Sequence, residues 1–197
     1  MKKLVLGSSS PRRKELLTTL GFEFSIRTKD TDESFPIHLN PSEIAEFVAR
    51  KKADALITEI NQDEVLLCAD TIVVLENEIL GKPNDRQDAI NMLSRLSGKF
   101  HEVVTGVSIF SSDQQHMFSV KTKVFFNLLT LQEITYYVDH FKPFDKAGSY
   151  GIQDWIGCMG IEKIEGSYTN VVGLPTKEVY EKLITYELKR PDIDPTF

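Results

Sequence analysis

The sequence predicts an α/β protein built on a mixed sheet, and three observations carry that expectation. Apolar runs of strand length alternate with segments of helical apolar spacing along most of the chain. The helical segments open at start signals, either a proline behind a polar cap or a capping box. Two strand runs meet their neighbours across short polar turns, at 75–79 and 111–115, so some strands must pair antiparallel.

Residues 3–7 read as a short buried strand, followed by a helix that Pro11 opens behind Ser10 and that carries Leu16, Leu17 and Leu20 on one stripe. A second strand spans 22–28. Pro41 behind Asn40 opens a helix to about residue 57, with Ile44, Phe47, Val48 and Ala55 on its apolar face. The third strand, 65–75, is almost continuously apolar, and its tight hairpin is followed by a helix over 85–96 that ends at Gly98. Strands at 101–110 and 117–126 come next. Thr130 with Glu133 three residues on starts a helix to residue 141, and Leu174-Pro175 opens the last one.

A chain of 197 residues with 41% hydrophobic content can bury a full core. With no low-complexity tract or linker, one domain over residues 1–188 is expected, with a loosely attached tail at 189–197. The formal net charge of −6 argues against nucleic-acid binding, so an anionic ligand must be gripped locally. No apolar run approaches the roughly 20 residues needed to cross a bilayer, and a cytoplasmic protein without a membrane partner is the expectation. Cys68 and Cys158 form neither a disulfide framework nor a metal spacing, and both read as reduced, packed thiols.

The chemistry begins at Ser8-Ser9-Ser10-Pro11-Arg12-Arg13. Free backbone N–H groups, three hydroxyls and two guanidiniums meet at a helix N-terminus, where cations oppose the helix dipole. Arg13 shares the stripe of Leu16, Leu17 and Leu20, so its head belongs near the edge of the core. A phosphate would reconcile these charges; an ordinary serine-capped helix with solvated arginines is the alternative. The segment is not a Walker loop, since Arg12 follows where Gly-Lys is required.

Asp70 is the lone carboxylate in the apolar run 65–75. It must be hydrogen-bonded, protonated, paired or turned into a cleft, unless it lies on a solvent face. Asp30, Asp32 and Glu33 suit a hard cation, although Phe35 stands where a calcium loop needs glycine. Lys51 and Lys52 lie near the edge of a helical face, and spacing does not choose between them. Lys82 sits in the turn Gly81-Lys82-Pro83, and residues 146–153, Lys-Ala-Gly-Ser-Tyr-Gly-Ile-Gln, form a glycine-rich loop able to read a base edge or to pack Tyr150 into the core.

Taken in order, the serine-arginine turn, Glu33, Lys52, Ala69-Asp70-Thr71, Gly81-Lys82-Pro83, Leu96-Ser97-Gly98 and the loop 146–153 resemble the Maf family of nucleoside triphosphate pyrophosphatases over nearly the whole chain. The resemblance implies an inosine triphosphate pyrophosphatase-like fold with a long mixed sheet, flanking helices, two lobes around a cleft, and a homodimer. It also implies hydrolysis of a nucleoside triphosphate substrate to the monophosphate and pyrophosphate. Arg12, Thr71 and Gln153 resemble the branch acting on dTTP and UTP. Three departures stand out: Gly7 for the usual Ala, Cys68 for a Gly, and Asp154-Trp155 after Gln153 where the family commonly has Gly. The last would reshape the base pocket.

On this reading Ser8, Ser10, Arg12, Arg13, Lys52 and Lys82 hold phosphate oxygens, and Thr71 and Gln153 bond the pyrimidine. Glu33 and Asp70 would repel a triphosphate unless Mg²⁺ or Mn²⁺ lay between, so charge balance implies that metal, with Asp70 also orienting or deprotonating the attacking water. Two rivals remain at this stage. A haloacid-dehalogenase-type phosphatase would use Asp30 and Asp32, although Ser34 stands where that pattern wants Thr or Val. A regulator of septum formation would bind a partner without turnover.

Overall fold

The computed structural model describes residues 1–189. Of the tail expected at 189–197, residues 190–197 lie outside the described residues, while Lys189 donates to Glu23 at 2.6 Å. The strands are β1 (Lys3–Leu6), β2 (Phe24–Ile26), β3 (Glu64–Leu75), β4 (Glu78–Leu80), β5 (Phe100–Phe110), β6 (Gln115–Phe126) and β7 (Ile161–Glu165). The helices are α1 (Pro11–Thr19), α2 (Pro41–Leu56), α3 (Arg86–Leu96), α4 (Leu131–Phe141), α5 (Trp155–Gly160), α6 (Tyr168–Val172) and α7 (Thr176–Leu183). Seven strands form one open sheet in the order β2-β1-β3-β5-β6-β7, with β4 beside β3. It is mixed as expected: β1 pairs parallel with β2 and β3, whereas β3 with β4 and β6 with β7 are antiparallel.

The chain forms two compact units. The first takes Met1–Asp70, Thr105–Val120 and the described residues from Gly173 on; the second takes Thr71–Val104 and Lys121–Val172. Strand β3 passes from one to the other between Asp70 and Thr71.

In the first unit β1 and β3 are covered on both faces, which is why they read as continuous apolar runs. Leu6, Leu67 and Ala69 pack with Leu17 of α1 and Val179 of α7, while Val5, Leu66 and Cys68 pack with Ala53 and Leu56 of α2. The start signals behave as read. Ser10 accepts from the Arg13 N–H, and Asn40 with Glu43 closes a capping box. Strand β2 is shorter than the expected 22–28. Just beyond it the Arg27 N–H still donates to the Leu6 carbonyl at 3.1 Å, while its guanidinium forks onto Glu64 at 3.0 and 3.1 Å and reaches the Glu59 carbonyl at 2.6 Å.

In the second unit Val73, Leu80, Leu93, Leu96, Val138 and Ile156 share one core. Thr130 and Glu133 cap α4 as a second box. Glu76 and Asn77 both take positive φ, 51° and 69°, the backbone a two-residue hairpin of this hand requires. The elements α5, β7 and α6 were not legible. The first is a six-residue helix containing two glycines and lacking a side-chain cap, the second an edge strand of mostly exposed residues, and the third a five-residue helix rich in β-branched residues. Tertiary ties hold α6: buried Asn170 donates to the Val103 carbonyl at 3.1 Å and to Thr122 at 3.0 Å. Cys68 is packed as expected, but Cys158 is exposed, because the short helix α5 buries Ile156 and turns Cys158 outward.

His101 carries a pH dependence. It is 1% exposed, with Nε2 2.7 Å from the Tyr150 hydroxyl and Nδ1 buried without a hydrogen-bond partner. Burial pulls its pKa from 6.5 down to about 3. The unfolded chain therefore binds a proton the folded chain refuses, so this contribution is complete above pH 6.5 and declines as pH falls toward 3. By pH 5 the loss is about 2 kcal/mol. Urea midpoints between pH 7 and 5 should fall more steeply for the parent than for His101→Phe; equal slopes would show that His101 does not carry the effect.

Candidate active site

In the first unit β1 ends at Leu6, and Gly7-Ser8-Ser9-Ser10 turns the chain into α1. Two hydroxyls are placed by the turn itself. Ser10 caps the helix, and the Ser8 Oγ accepts from the Ser10 N–H and from Arg13 Nη1, each at 3.3 Å. Arg13 is drawn inward: its Nε donates to the Gly173 carbonyl at 2.9 Å. Loss of solvent is the main force lowering its pKa, with Asp70 nearby acting the other way and Arg12 adding to the fall. A charged guanidinium that has lost part of its solvent is a strong point for a phosphate oxygen. Arg12 is half-buried in the same turn.

The spacing that left Lys51 and Lys52 equivalent is resolved by the fold. Lys52 Nζ donates to Asp70 Oδ1 at 2.6 Å and meets Glu33 Oε1 at 2.8 Å, with side chains of Lys52 and Asp70 only 17% and 13% exposed. Asp70 thus lies buried and paired, not on a solvent face. Lys51 instead fastens the acidic loop, donating to Asp32 Oδ2 and to the Ser34 carbonyl, each at 3.0 Å. The Ser34 hydroxyl and N–H and the Lys51 ammonium hold the Asp32 pKa down at about 2. Lys51 therefore anchors the loop on both sides of Glu33, and Lys52 holds Glu33 itself. Asp32 is committed to Ser34 and Lys51, which does not favour the phosphatase rival that needed it as an acid.

Glu33 and Asp70 each give one carboxylate oxygen to the Lys52 ammonium, at 2.8 and 2.6 Å, and so lie close together. A hard divalent cation accepts such a pair and completes its shell with phosphate oxygens and water. The donor set fits. Among the described residues no three His, Cys, Asp or Glu side chains gather as a cage, so a metal here would take its other ligands from a bound anion and solvent.

The second unit holds Thr71, Lys82 and Gln153. Thr71 follows Asp70 in β3, and Lys82 is exposed in the turn after β4. The glycine-rich loop is fixed to that turn, since the Gly148 N–H donates to the Gly81 carbonyl at 3.0 Å. Tyr150 is 6% exposed and bonded to His101, so the loop does pack its aromatic ring into the core, while Gln153 stays exposed. Sequence reasoning missed the Gly173 carbonyl, a backbone atom 160 residues from Arg13 that no side-chain pattern announces. It missed Tyr137 as well, although the departure at Asp154, its partner, was visible.

Fold and site together define an α/β protein in which a serine-arginine helix turn and a Glu33-Lys52-Asp70 triad lie in one unit. The Maf-like protein family model matches residues 3–186, and the chain belongs to that family. A dTTP/UTP pyrophosphatase of Bacteroides fragilis strain YCH46 is 53% identical over 182 residues, covering 92% of this chain and 94% of the relative. One of Flavobacterium psychrophilum is 47% identical over 184 residues, covering 93% and 94%. Among solved structures, the Staphylococcus aureus Ham1 protein is similar at 14% identity, with a TM-score of 0.47 over 64% of this chain and 72% of that one.

Proposed function

We propose that this chain hydrolyses dTTP and UTP to the nucleoside monophosphate and pyrophosphate, clearing the nucleotide pool. The observation that carries the proposal is Asp70, a buried carboxylate held by Lys52 in the same unit as the desolvated Arg13. The relatives' names supply the substrate class. Ser8, Ser10, Arg12 and Arg13 hold phosphate oxygens, Lys52 and Lys82 add cations, and Thr71 and Gln153 bond the pyrimidine. Glu33 and Asp70 would hold Mg²⁺ or Mn²⁺, which would polarise phosphoryl oxygens and help neutralise the leaving pyrophosphate.

Asp70 accepts a proton from water as the water oxygen bonds to the α-phosphorus. The bond from that phosphorus to the bridging oxygen breaks, and pyrophosphate leaves with the electron pair. Lys52 orients Asp70 through its 2.6 Å hydrogen bond. Arg13, pinned by Gly173 and Ser8, meets phosphate oxygens without having to be ordered first. No residue forms a covalent intermediate. The same reading, following the family resemblance, includes one functional domain over residues 1–188, a homodimer and work in the cytoplasm. No helix among the described residues is long and apolar enough to cross a membrane.

The test is to supply dTTP, UTP, CTP, GTP, ATP and 7-methyl-GTP with and without Mg²⁺ and to measure pyrophosphate and orthophosphate separately. Metal-dependent pyrophosphate from dTTP and UTP is expected. Orthophosphate as first product, or no cleavage at all, overturns the proposal. Arg13→Ala should weaken both binding and rate, lowering kcat/KM by about 10- to 100-fold, because a charged hydrogen bond to phosphate acts in ground and transition states alike. Unchanged kinetics would return Arg13 to a structural role, bridging Ser8 and Gly173.

A further inference from the structure

The segment from Gly151 to Asp154 is a single turn closed by the Asp154 N–H donating to the Gly151 carbonyl at 3.0 Å. One phenol pins both of its ends. The Tyr137 hydroxyl donates to Asp154 Oδ2 at 2.7 Å and accepts from the Gly151 N–H at 3.0 Å. Tyr137 is fully buried on α4, and Ile152 at 6% exposure anchors the middle of the turn. Gln153 is the residue of the turn left exposed, and its amide folds back over Gly151. A β-carbon on Gly151 would lie 2.6 Å from Asp154 Oδ2 and 2.9 Å from Gln153 Nε2, so both side chains fold over a position that only glycine leaves open. The Asp154 carbonyl then accepts from Gly157 at 2.9 Å, joining the turn to α5.

We propose that Tyr137 and Asp154 are positioning residues that hold the Gln153 amide in one orientation and thereby set the choice among pyrimidine bases. The proposal rests on the reading that Gln153 bonds the base. An amide offers a carbonyl acceptor at one end and an N–H donor at the other. Uracil and thymine present an N3–H donor beside the O4 acceptor, whereas cytosine reverses both groups. A free amide rotates to satisfy either edge; a clamped one matches a single pattern and leaves the other unpaired. Burial and the Asp154 bond raise the Tyr137 pKa, so the phenol keeps the proton it donates.

The experiment measures kcat/KM for UTP and CTP with the full chain, its Mg²⁺ supplied, in Tyr137→Phe, Asp154→Ala, Asp154→Asn and Gln153→Ala, with melting temperatures alongside. Tyr137→Phe and Asp154→Ala should each lower the UTP-to-CTP ratio by about tenfold or more, while Asp154→Asn, which still accepts from the phenol, keeps the parental ratio. Equal loss on both nucleotides would mark a structural role and overturn the proposal. If Gln153→Ala collapses the ratio and the clamp variants do not, the clamp alone fails. If Gln153→Ala leaves the ratio unchanged, the base-reading assignment fails and the clamp with it. Should Tyr137→Phe not fold, the two Asp154 variants decide.

Discussion

Asp70→Asn lowers pyrophosphate release from dTTP and UTP by about a hundred- to ten-thousand-fold, the range a positioned general base contributes, while the chain stays folded. Asn has the same shape but is a far weaker base, so a water molecule beside it keeps its proton. The fold survives because Lys52 retains Glu33 at 2.8 Å and is not left as an unpaired buried cation. The check is steady-state pyrophosphate release at saturating Mg²⁺, with circular dichroism and a melting curve on the same sample. A variant that turns over within a few-fold of the parent would remove Asp70 from catalysis. A variant that unfolds would show that the Asp70–Lys52 pair holds the first unit together, contrary to the expectation here.

Gly7→Ala should destabilise the chain by about 2–3 kcal/mol, and Cys68→Gly should repair it. An added methyl on Gly7 would sit 2.3 Å from Cys68 Sγ and 3.2 Å from methyl carbons of Leu56 and Leu66, all in the core between β1, β3 and α2. Cys68 is fully buried, with its thiol pKa pushed up to about 12, so it acts as packed volume and not as a nucleophile. A methyl at position 7 and the Cys68 thiol therefore compete for one space, which holds one of them and not both. Because Gly7 leads directly into Ser8, a displaced turn also moves the hydroxyls proposed to hold phosphate, and turnover should fall with stability. Urea unfolding of both single variants and the double gives the coupling directly. A recovery of about 2 kcal/mol in the double is expected, and additivity within roughly 0.5 kcal/mol would show that the residues do not compete for space.

The legible parts of this protein are those whose cause is local. Prolines 11 and 41 behind Ser10 and Asn40, and Thr130 with Glu133, start helices through contacts spanning three or four residues. The turn at Glu76-Asn77 is likewise a matter of its own backbone. The serine-arginine turn could be read as an anion site because a helix N-terminus presents its N–H groups wherever it occurs. Asp70 was conspicuous for a related reason, since burial in an apolar strand demands a partner whichever one it turns out to be.

What spacing left open required the third dimension. Lys51 and Lys52 are adjacent on one helix edge, and only the path of the acidic loop sends the first to Asp32 and the second to Glu33 and Asp70. Helices α5 and α6 and strand β7 are too short, and too poor in local preference, to announce themselves; packing stabilises them, as the Asn170 bonds to Val103 and Thr122 illustrate. Cys158 reads as a packed thiol from composition, which says which residues tend to be buried but not which face a six-residue helix turns outward.

By itself the sequence determined the α/β class, the mixed sheet, most helix starts, and the set of residues on which the proposed chemistry rests. The tertiary structure alone decided the partners: the Gly173 carbonyl that draws Arg13 inward, the lysine that Asp70 and Glu33 share, the phenol that pins the turn bearing Gln153, and the contact that links Gly7 to Cys68. The physical reason is separation along the chain. Caps, turns and apolar periodicity arise from neighbours within a few residues, whereas a hydrogen bond or a steric contact between residues 60 or 160 positions apart exists only once the strands have set its register.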